Sequence, residues 1–202
     1  MSGGPDRLIP SLRERLQSRP RRVLGRPRRA AVLVPIVDDG GPRRLLLTRR
    51  TEDLPTHAGQ VAFPGGLVEP GDEDPAGTAL REAREEIGLP KGAVEVLGLL
   101  DDFPTRTDTV AVTPVVGVLR SVPPLRALAA EVARIFDVPL SDLTQADRWT
   151  WREEERGDRR LRVYYFLHEG ETLWGLSARI VLHLLEVSDL GSPVPLRPPE
   201  YS

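Results

Sequence analysis

The chain of 202 residues carries 28 lysine and arginine residues against 30 acidic ones, a formal net charge of −2, and no cysteine. Disulfides and thiolate chemistry are therefore excluded, and the charge gives no support for binding to nucleic acid. The length predicts one domain with a sizeable core. Because the sequence has neither a membrane-length apolar run nor a signal-peptide pattern, we expect no membrane partner and a cytoplasmic location.

Residues 1–28 form a basic arm that is punctuated by proline and glycine. A short helix is predicted from a Ser11 N-cap to Leu16, with Leu8, Leu12 and Leu16 on one side. The arginines between positions 19 and 29 are compatible with nucleic-acid binding, but no aromatic residues interleave for base stacking. An arm that is exposed, or docked as a cap on the domain, is therefore favoured.

Two strands follow the arm and open the main domain, predicted to span residues 29–190. The apolar run 29–37 is typical of a buried strand, and residues 44–49 form a second strand after a turn at 39–41. They are expected to pair as a hairpin, and a loop at 50–60 follows. The proline-rich segment 191–202 is expected to be a loose tail.

A helix is predicted immediately after Asp74, with Asp74 as N-cap, Pro75 at its first position and a stop at Gly88. Its apolar residues recur at helical spacing and make one stripe for the core: Ala76, Ala79, Leu80, Ala83 and Ile87.

Three glutamates, Glu82, Glu85 and Glu86, lie together on another side of this helix. Like charges at these spacings repel. Pairs such as Arg81 with Glu85 relieve part of the repulsion, so a solvated surface is one interpretation. The alternative is a divalent-cation site, since Mg²⁺ prefers carboxylate oxygens supplemented by substrate phosphate.

The segment from Gly66 to Leu89 resembles the Nudix box, G-x5-E-x7-R-E-U-x-E-E-x-G-U with U aliphatic. Two positions depart: Gly66 comes one residue early because Leu67 holds the glycine position, and Ala83 is a small aliphatic residue. The resemblance implies a pyrophosphohydrolase that uses Mg²⁺ or Mn²⁺. It implies metal ligation by Glu82 and Glu86, with Glu85 as third ligand or assistant and the Gly66 carbonyl as a further oxygen ligand. It also implies that Arg81 points inward and pairs with Glu73.

The segment before the box resembles the motif of coenzyme A pyrophosphatases, LLTxR[SA]-x3-R-x3-G-x3-FPGG. Six residues are in register: Arg50, Gly59, Phe63, Pro64, Gly65 and Gly66. Thr51 replaces the expected serine or alanine, and Pro55 replaces a second arginine. The resemblance implies substrate binding by Arg50, Gly59, Phe63, Gly65 and Gly66, with Arg50 contacting a phosphate.

The second half of the chain is predicted to hold more strands and a closing helix. Strands are expected at 94–100, 110–119 and 131–138, with a short helix at 141–145. A hairpin of residues 149–155 and 160–167 is expected to close at Gly157–Asp158, and a helix is predicted at 176–186. Glu153 to Glu155 are compatible with a second metal site, although a charged strand end is the simpler interpretation. The element order fits an α/β fold, the Nudix α/β/α sandwich with a mixed central sheet.

The predicted activity is hydrolysis of coenzyme A or acyl-coenzyme A into adenosine 3′,5′-bisphosphate and 4′-phosphopantetheine or its acyl form. One alternative is a Nudix pyrophosphatase for ADP-ribose or another nucleoside diphosphate derivative. A second is a non-catalytic Nudix sensor of nucleotides, although such a protein would be expected to lose box glutamates. A homodimer is compatible with the sequence. The general base is left open among Asp101, Asp102, Glu153, Glu169 and Glu171.

Overall fold

A computed structural model describes residues 7–53, 56–156 and 159–194 of the chain. In chain order its helices and strands are α1 (Leu8–Ser18), β1 (Arg28–Val37), β2 (Arg44–Arg50), β3 (Val61–Ala62), β4 (Gly65–Leu67), α2 (Pro75–Ile87), β5 (Glu95–Leu99), β6 (Phe103–Pro104), β7 (Val110–Leu119), β8 (Val132–Pro139), α3 (Leu140–Leu143), β9 (Trp149–Arg156), β10 (Arg159–His168), β11 (Glu171–Trp174) and α4 (Gly175–Val187). Short 3₁₀ turns lie at Lys91–Ala93 and Ala146–Arg148.

The central sheet is mixed, as predicted. Strand β1 runs parallel to β7 along its whole length, whereas its pairings with β2 and β4 are antiparallel. Strand β8 pairs with β2, and β5 and β6 pair with β7. Strands β9 to β11 form a separate antiparallel sheet.

The central sheet separates two apolar cores, because alternate residues of a strand point to opposite faces. One core packs Ala31, Leu33 and Val115 of the sheet against Ala79, Ala83 and Ile87 of α2. The other packs the opposite face against α1, α4 and the small sheet. The predicted sandwich is confirmed, with the small sheet added to the layer of α1 and α4.

Helix α2 begins and ends where its capping residues predict. The Asp74 carboxylate accepts a hydrogen bond of 2.7 Å from the Gly77 amide, and Pro75 holds the first helical position. Gly88 ends the helix with φ 68°, a left-handed conformation that favours glycine. The local sequence therefore fixes both ends of the helix that carries the glutamates.

Helix α1 begins earlier than predicted. It starts at Leu8, so Ser11 lies inside the helix and is not its N-cap. Ile9, Leu12 and Leu16 are buried in the core on the α4 side of the sheet, and α1 packs on β5 and α4. The part of the arm that the structure describes is thus docked on the domain.

The remaining expectations agree with the structure to within a few residues. The predicted hairpin turn at Gly157–Asp158 lies outside the described residues, as do Pro55 and most of the tail. None of the helices in the described parts of the chain is long and apolar enough to cross a membrane.

Candidate active site

Glu86 is the most buried carboxylate of α2, with only 4 % of its surface exposed. Its Oε2 accepts a hydrogen bond of 3.1 Å from the Gly65 amide, and its Oε1 lies 3.6 Å from Nη1 of Arg50. Burial raises the pKa of Glu86 to about 7, although the Gly65 amide and Arg50 oppose this shift. A bound cation would favour the charged form of this carboxylate.

Glu82 lies one turn earlier and faces the backbone of β4. A Cβ atom at Gly66 would come within 2.5 Å of the Glu82 Cδ, so a larger residue here would displace this carboxylate from its position. Burial raises the pKa of Glu82, and the hydrogen bond from Arg81 offsets part of the rise. Glu82, Glu86 and the two glycines therefore lie together, as the sequence predicted.

Glu85 differs from its two neighbours, because its side chain remains 47 % exposed. Its Oε2 accepts a hydrogen bond of 3.2 Å from Nη1 of Arg81. This is the i,i+4 pair that the surface interpretation predicted. In the structure Glu85 is better placed to assist the site than to be its principal ligand.

Arg81 points inward as predicted, but its partner differs from the predicted one. Its Nε and Nη2 each donate to Asp72 at 3.1 Å, and its Nη2 also donates to the Leu67 carbonyl at 3.0 Å. Glu73, the predicted partner, is exposed. The pairing with Glu73 is therefore wrong: Asp72 is the residue whose carboxylate is turned toward the helix, where it also accepts a hydrogen bond from Thr78.

Asp72 and Arg81 stabilise each other's charged forms. Hydrogen bonds from Arg81 and from the Glu69 amide hold the pKa of the Asp72 carboxyl well below its usual range. The hydrogen bond to Asp72 in turn raises the pKa of Arg81. Because Arg81 also binds the Leu67 carbonyl, the pair fastens the end of β4, where the extra residue Leu67 lies, and the loop after it to α2.

The segment upstream of the box contributes one side chain and several backbone positions. Arg50 reaches Glu86, as described above. Phe63 is only 4 % exposed and packs in the core on the far side of the sheet, so its side chain supports the fold, and substrate binding at this position stays a prediction. Gly59 has φ 65° and closes the loop by donating its amide to the Thr51 carbonyl, a turn role that does not itself place it against substrate.

The five carboxylates that the sequence left open as general bases pair with arginines away from Glu82 and Glu86. Asp101 and Asp102 bind the arginines of the N-terminal arm. Glu169 and Glu171 bind Arg134, and Glu153 lies 3.6 Å from Arg162.

Two carboxylates at the site, Glu69 and Glu131, were not predicted from the sequence. Their negative charges contribute to the raised pKa of Glu82 and of Glu86 respectively. The Glu131 carbonyl accepts from the Thr51 amide at 3.0 Å, which fastens this residue beside Arg50. Glu69 lies inside the box and could have been noticed there, whereas no local signal distinguishes Glu131.

The donor set fits a hard divalent cation. Two carboxylates with raised pKa values lie against a glycine backbone, and Mg²⁺ usually takes one or two carboxylates together with phosphate oxygens and water. Among the residues that the structure describes, no three acidic or histidine side chains already surround a common metal position. Substrate oxygens and water would therefore have to complete the coordination.

The comparisons with known proteins agree with this geometry. The NUDIX domain model matches residues 27–161. A Nudix hydrolase of Photorhabdus laumondii, described as uncharacterized and named NudL, is 42 % identical over 167 residues, covering 83 % of this chain and 88 % of that protein. The NudL protein of Yersinia enterocolitica is 43 % identical over 157 residues, or 78 % of this chain and 80 % of the relative.

A solved structure shows the same fold. The Nudix hydrolase RenU of M. smegmatis aligns with a TM-score of 0.55 at 21 % identity, covering 87 % of this chain and 92 % of that one. The chain belongs to the Nudix family. It is a Nudix hydrolase, an enzyme that hydrolyses pyrophosphate bonds. Such hydrolases act on small nucleotide substrates and generally use divalent ions such as Mg²⁺ or Mn²⁺.

Proposed function

We propose that this Nudix hydrolase cleaves the pyrophosphate bond of coenzyme A and its acyl derivatives. The products are adenosine 3′,5′-bisphosphate and 4′-phosphopantetheine or its acyl form. The observation that carries the proposal is the contact of Arg50 and the Gly65 amide with one carboxylate, Glu86. The two halves of the motif that resembles coenzyme A pyrophosphatases thereby meet the Nudix box at a single point.

Glu82 and Glu86 are the proposed holders of Mg²⁺ or Mn²⁺, with oxygen from the Gly66 carbonyl and assistance from Glu85. When bound, such an ion neutralises phosphate charge and lowers the pKa of a coordinated water. The protein's own groups orient these ligands: the Gly65 amide holds Glu86, and Arg81 holds Glu82 and Glu85.

Arg50 is the proposed binder of a substrate phosphate. Its side chain is 23 % exposed, its Nη1 lies 3.6 Å from Oε1 of Glu86, and its Nε has no hydrogen-bond partner among the described residues. Arginine suits this role because its planar donors match phosphate oxygens. We assign Glu131 as the candidate acceptor for the proton of the attacking water, because it is fastened next to Arg50 and lies outside the proposed ligand set.

A panel of substrates with Mg²⁺ and Mn²⁺ tests the proposed substrate class. We expect kcat/KM for coenzyme A to exceed that for ADP-ribose at least about tenfold, a difference of about 1.4 kcal/mol in transition-state stabilisation. Mass spectrometry should identify the two products, and chelation of the metal should abolish turnover.

Two outcomes would contradict the proposal. Preferential cleavage of ADP-ribose would assign the enzyme to a different substrate class. Nucleotide binding without turnover of any member of the panel would identify a sensor.

A further inference from the structure

Asp102 is a fully buried carboxylate that collects donors from three parts of the chain. It accepts hydrogen bonds from Nη1 of Arg21 at 2.5 Å, from the Leu24 amide at 2.9 Å and from the Thr113 hydroxyl at 2.7 Å. Nη2 of Arg29 lies 3.7 Å from its Oδ2. Two guanidinium groups thus share one negative charge, which leaves this position with net positive charge.

The two arginines remain accessible from solvent. The Arg29 side chain is 43 % exposed and that of Arg21 is 20 % exposed, whereas Asp102 is 0 % exposed. The carboxylate is therefore shielded from any ligand, and the guanidinium groups are what a ligand would meet. A buried carboxylate that fixes arginines in this way lowers the conformational entropy they lose on binding.

Arg29 points to the face of the sheet that carries the Nudix glutamates. In the sheet Ala31 is paired with Gly66 of β4 on one side and with Thr113 of β7 on the other. Ala31 packs under α2, and Gly66 lies against the Glu82 carboxylate. Because side chains alternate along a strand, Arg29 shares this face, and its Cα lies about 7 Å from that of Ala31.

Arg29 also adjoins the loop of the box, since its carbonyl accepts a hydrogen bond of 3.0 Å from the Val68 amide. The Arg29 guanidinium itself lies at Asp102, beside β7, while the Arg29 backbone joins the loop that precedes the glutamate helix. Glu69 and Glu82 both carry negative charge and would repel an anionic ligand. A cation held at Glu82 and Glu86 would offset this repulsion.

We propose that Arg29, held beside Arg21 by Asp102, binds a phosphate monoester on the nucleoside half of the substrate, a phosphate that the enzyme does not cleave. This inference rests on the proposed function, for which that group is the 3′-phosphate of coenzyme A. Arg21 lies before residue 27, where the match to the family model begins. The docked arm thus supplies part of this subsite from outside the matched domain.

The test compares Arg29→Gln with Arg28→Gln, its exposed neighbour on the opposite face. With coenzyme A, Arg29→Gln should raise KM about tenfold or more, as expected for the loss of a charge-assisted hydrogen bond, and change kcat little. With 3′-dephospho-coenzyme A the KM should stay within about twofold of wild type. Arg28→Gln should leave both KM values within about twofold. Equal effects of Arg29→Gln on both substrates, or no effect on either, would overturn the proposal.

A binding measurement separates this inference from the proposed function. Calorimetry with adenosine 3′,5′-bisphosphate and with AMP should show that wild type prefers the bisphosphate, that Arg29→Gln loses the preference and that Arg29→Lys keeps part of it. If ADP-ribose is the better substrate but this preference depends on Arg29, the proposed function fails and the subsite stands. If coenzyme A is cleaved and Arg29→Gln keeps the preference, the subsite fails. Thermal melting of each variant verifies that it is folded.

Discussion

Glu86 combines deep burial with an incomplete set of partners. The Gly65 amide and Arg50 contact it, yet burial still raises its pKa to about 7. A carboxylate in such surroundings gains from a nearby cation, because an opposite charge favours its ionised form. This residue therefore has a physical reason to bind metal that the exposed Glu85 lacks.

Asp72 and Glu73 are adjacent, and the structure gives them different roles. We expect Asp72→Asn to lower kcat/KM about tenfold and the melting temperature by roughly 3 °C or more, because Arg81 would lose a charged partner that fastens the box loop. Glu73→Gln should change both quantities little. Steady-state kinetics and thermal melting of the two variants measure this difference.

The reverse pattern would contradict the geometry: a large loss of activity with Glu73→Gln and none with Asp72→Asn would restore the pairing predicted from the sequence. That pairing failed because the box pattern gives spacing along the chain, whereas the loop conformation decides which of two neighbouring carboxylates turns toward α2.

At the scale of elements, α4 meets the end of β5 through His183. Its Nε2 lies 3.5 Å from Oδ2 of Asp101, its Nδ1 lies 3.4 Å from Glu186, and its ring packs edge-on against Phe103. Burial lowers the pKa of His183 and nearby Arg19 lowers it further, against the opposing effects of Asp101 and Glu186.

This lowered pKa predicts how stability depends on pH. The unfolded state, with a histidine pKa of about 6.5, binds the proton more readily than the folded state. The contribution of His183 to stability is therefore complete above about pH 6.5 and is lost as the pH falls toward the folded pKa. Chemical denaturation between pH 5 and 8 should show that His183→Gln reduces the pH dependence in this window.

His57→Asn provides the control, because His57 is exposed on the loop before β3. It should keep the wild-type dependence on pH. An unchanged slope in His183→Gln would show that other groups carry the pH dependence in this window, for example Glu86, whose pKa is raised to about 7 by burial.

The sequence predicted most elements well, for reasons that are local. The two caps of α2, the alternation of β1 and the glycine turn between β1 and β2 each depend on residues close together in the chain. Helix α1 is the exception, because burial of Ile9 together with Leu12 extends its N-terminal end to before Ser11, the predicted N-cap. Packing against β5 and α4 decides where this helix begins.

At the scale of the whole molecule, the proposed site depends on contacts that no local pattern encodes. Arg21 and Asp102 are separated by 81 positions, and Arg29 and Asp102 by a similar interval, yet they meet beside the box. Glu131 reaches the site through the start of β8, which pairs with the end of β2. The motif predicted the glutamates, while the fold was needed to find the arginines and the extra carboxylates around them.

In this account the docked arm contributes Arg21 to the surface that binds substrate. Aspartates 101, 102 and 108 bind Arg19, Arg21 and Arg26, which fastens residues 19–26 along the end of the sheet. The Nudix glutamates, Arg50 and the arginine pair then lie on one face of the central sheet. A substrate with a central pyrophosphate and a further phosphate matches this distribution of charge.

The most direct test of the central claim is the turnover of Glu86→Gln with coenzyme A and Mg²⁺. The account predicts that kcat/KM falls by about three orders of magnitude or more, since removal of an essential charged group typically costs several kcal/mol. It also predicts an unchanged circular dichroism spectrum and a melting temperature no lower than that of the wild type, because the buried charge is removed without a change of shape. Turnover at the wild-type rate in a folded Glu86→Gln protein would contradict the account.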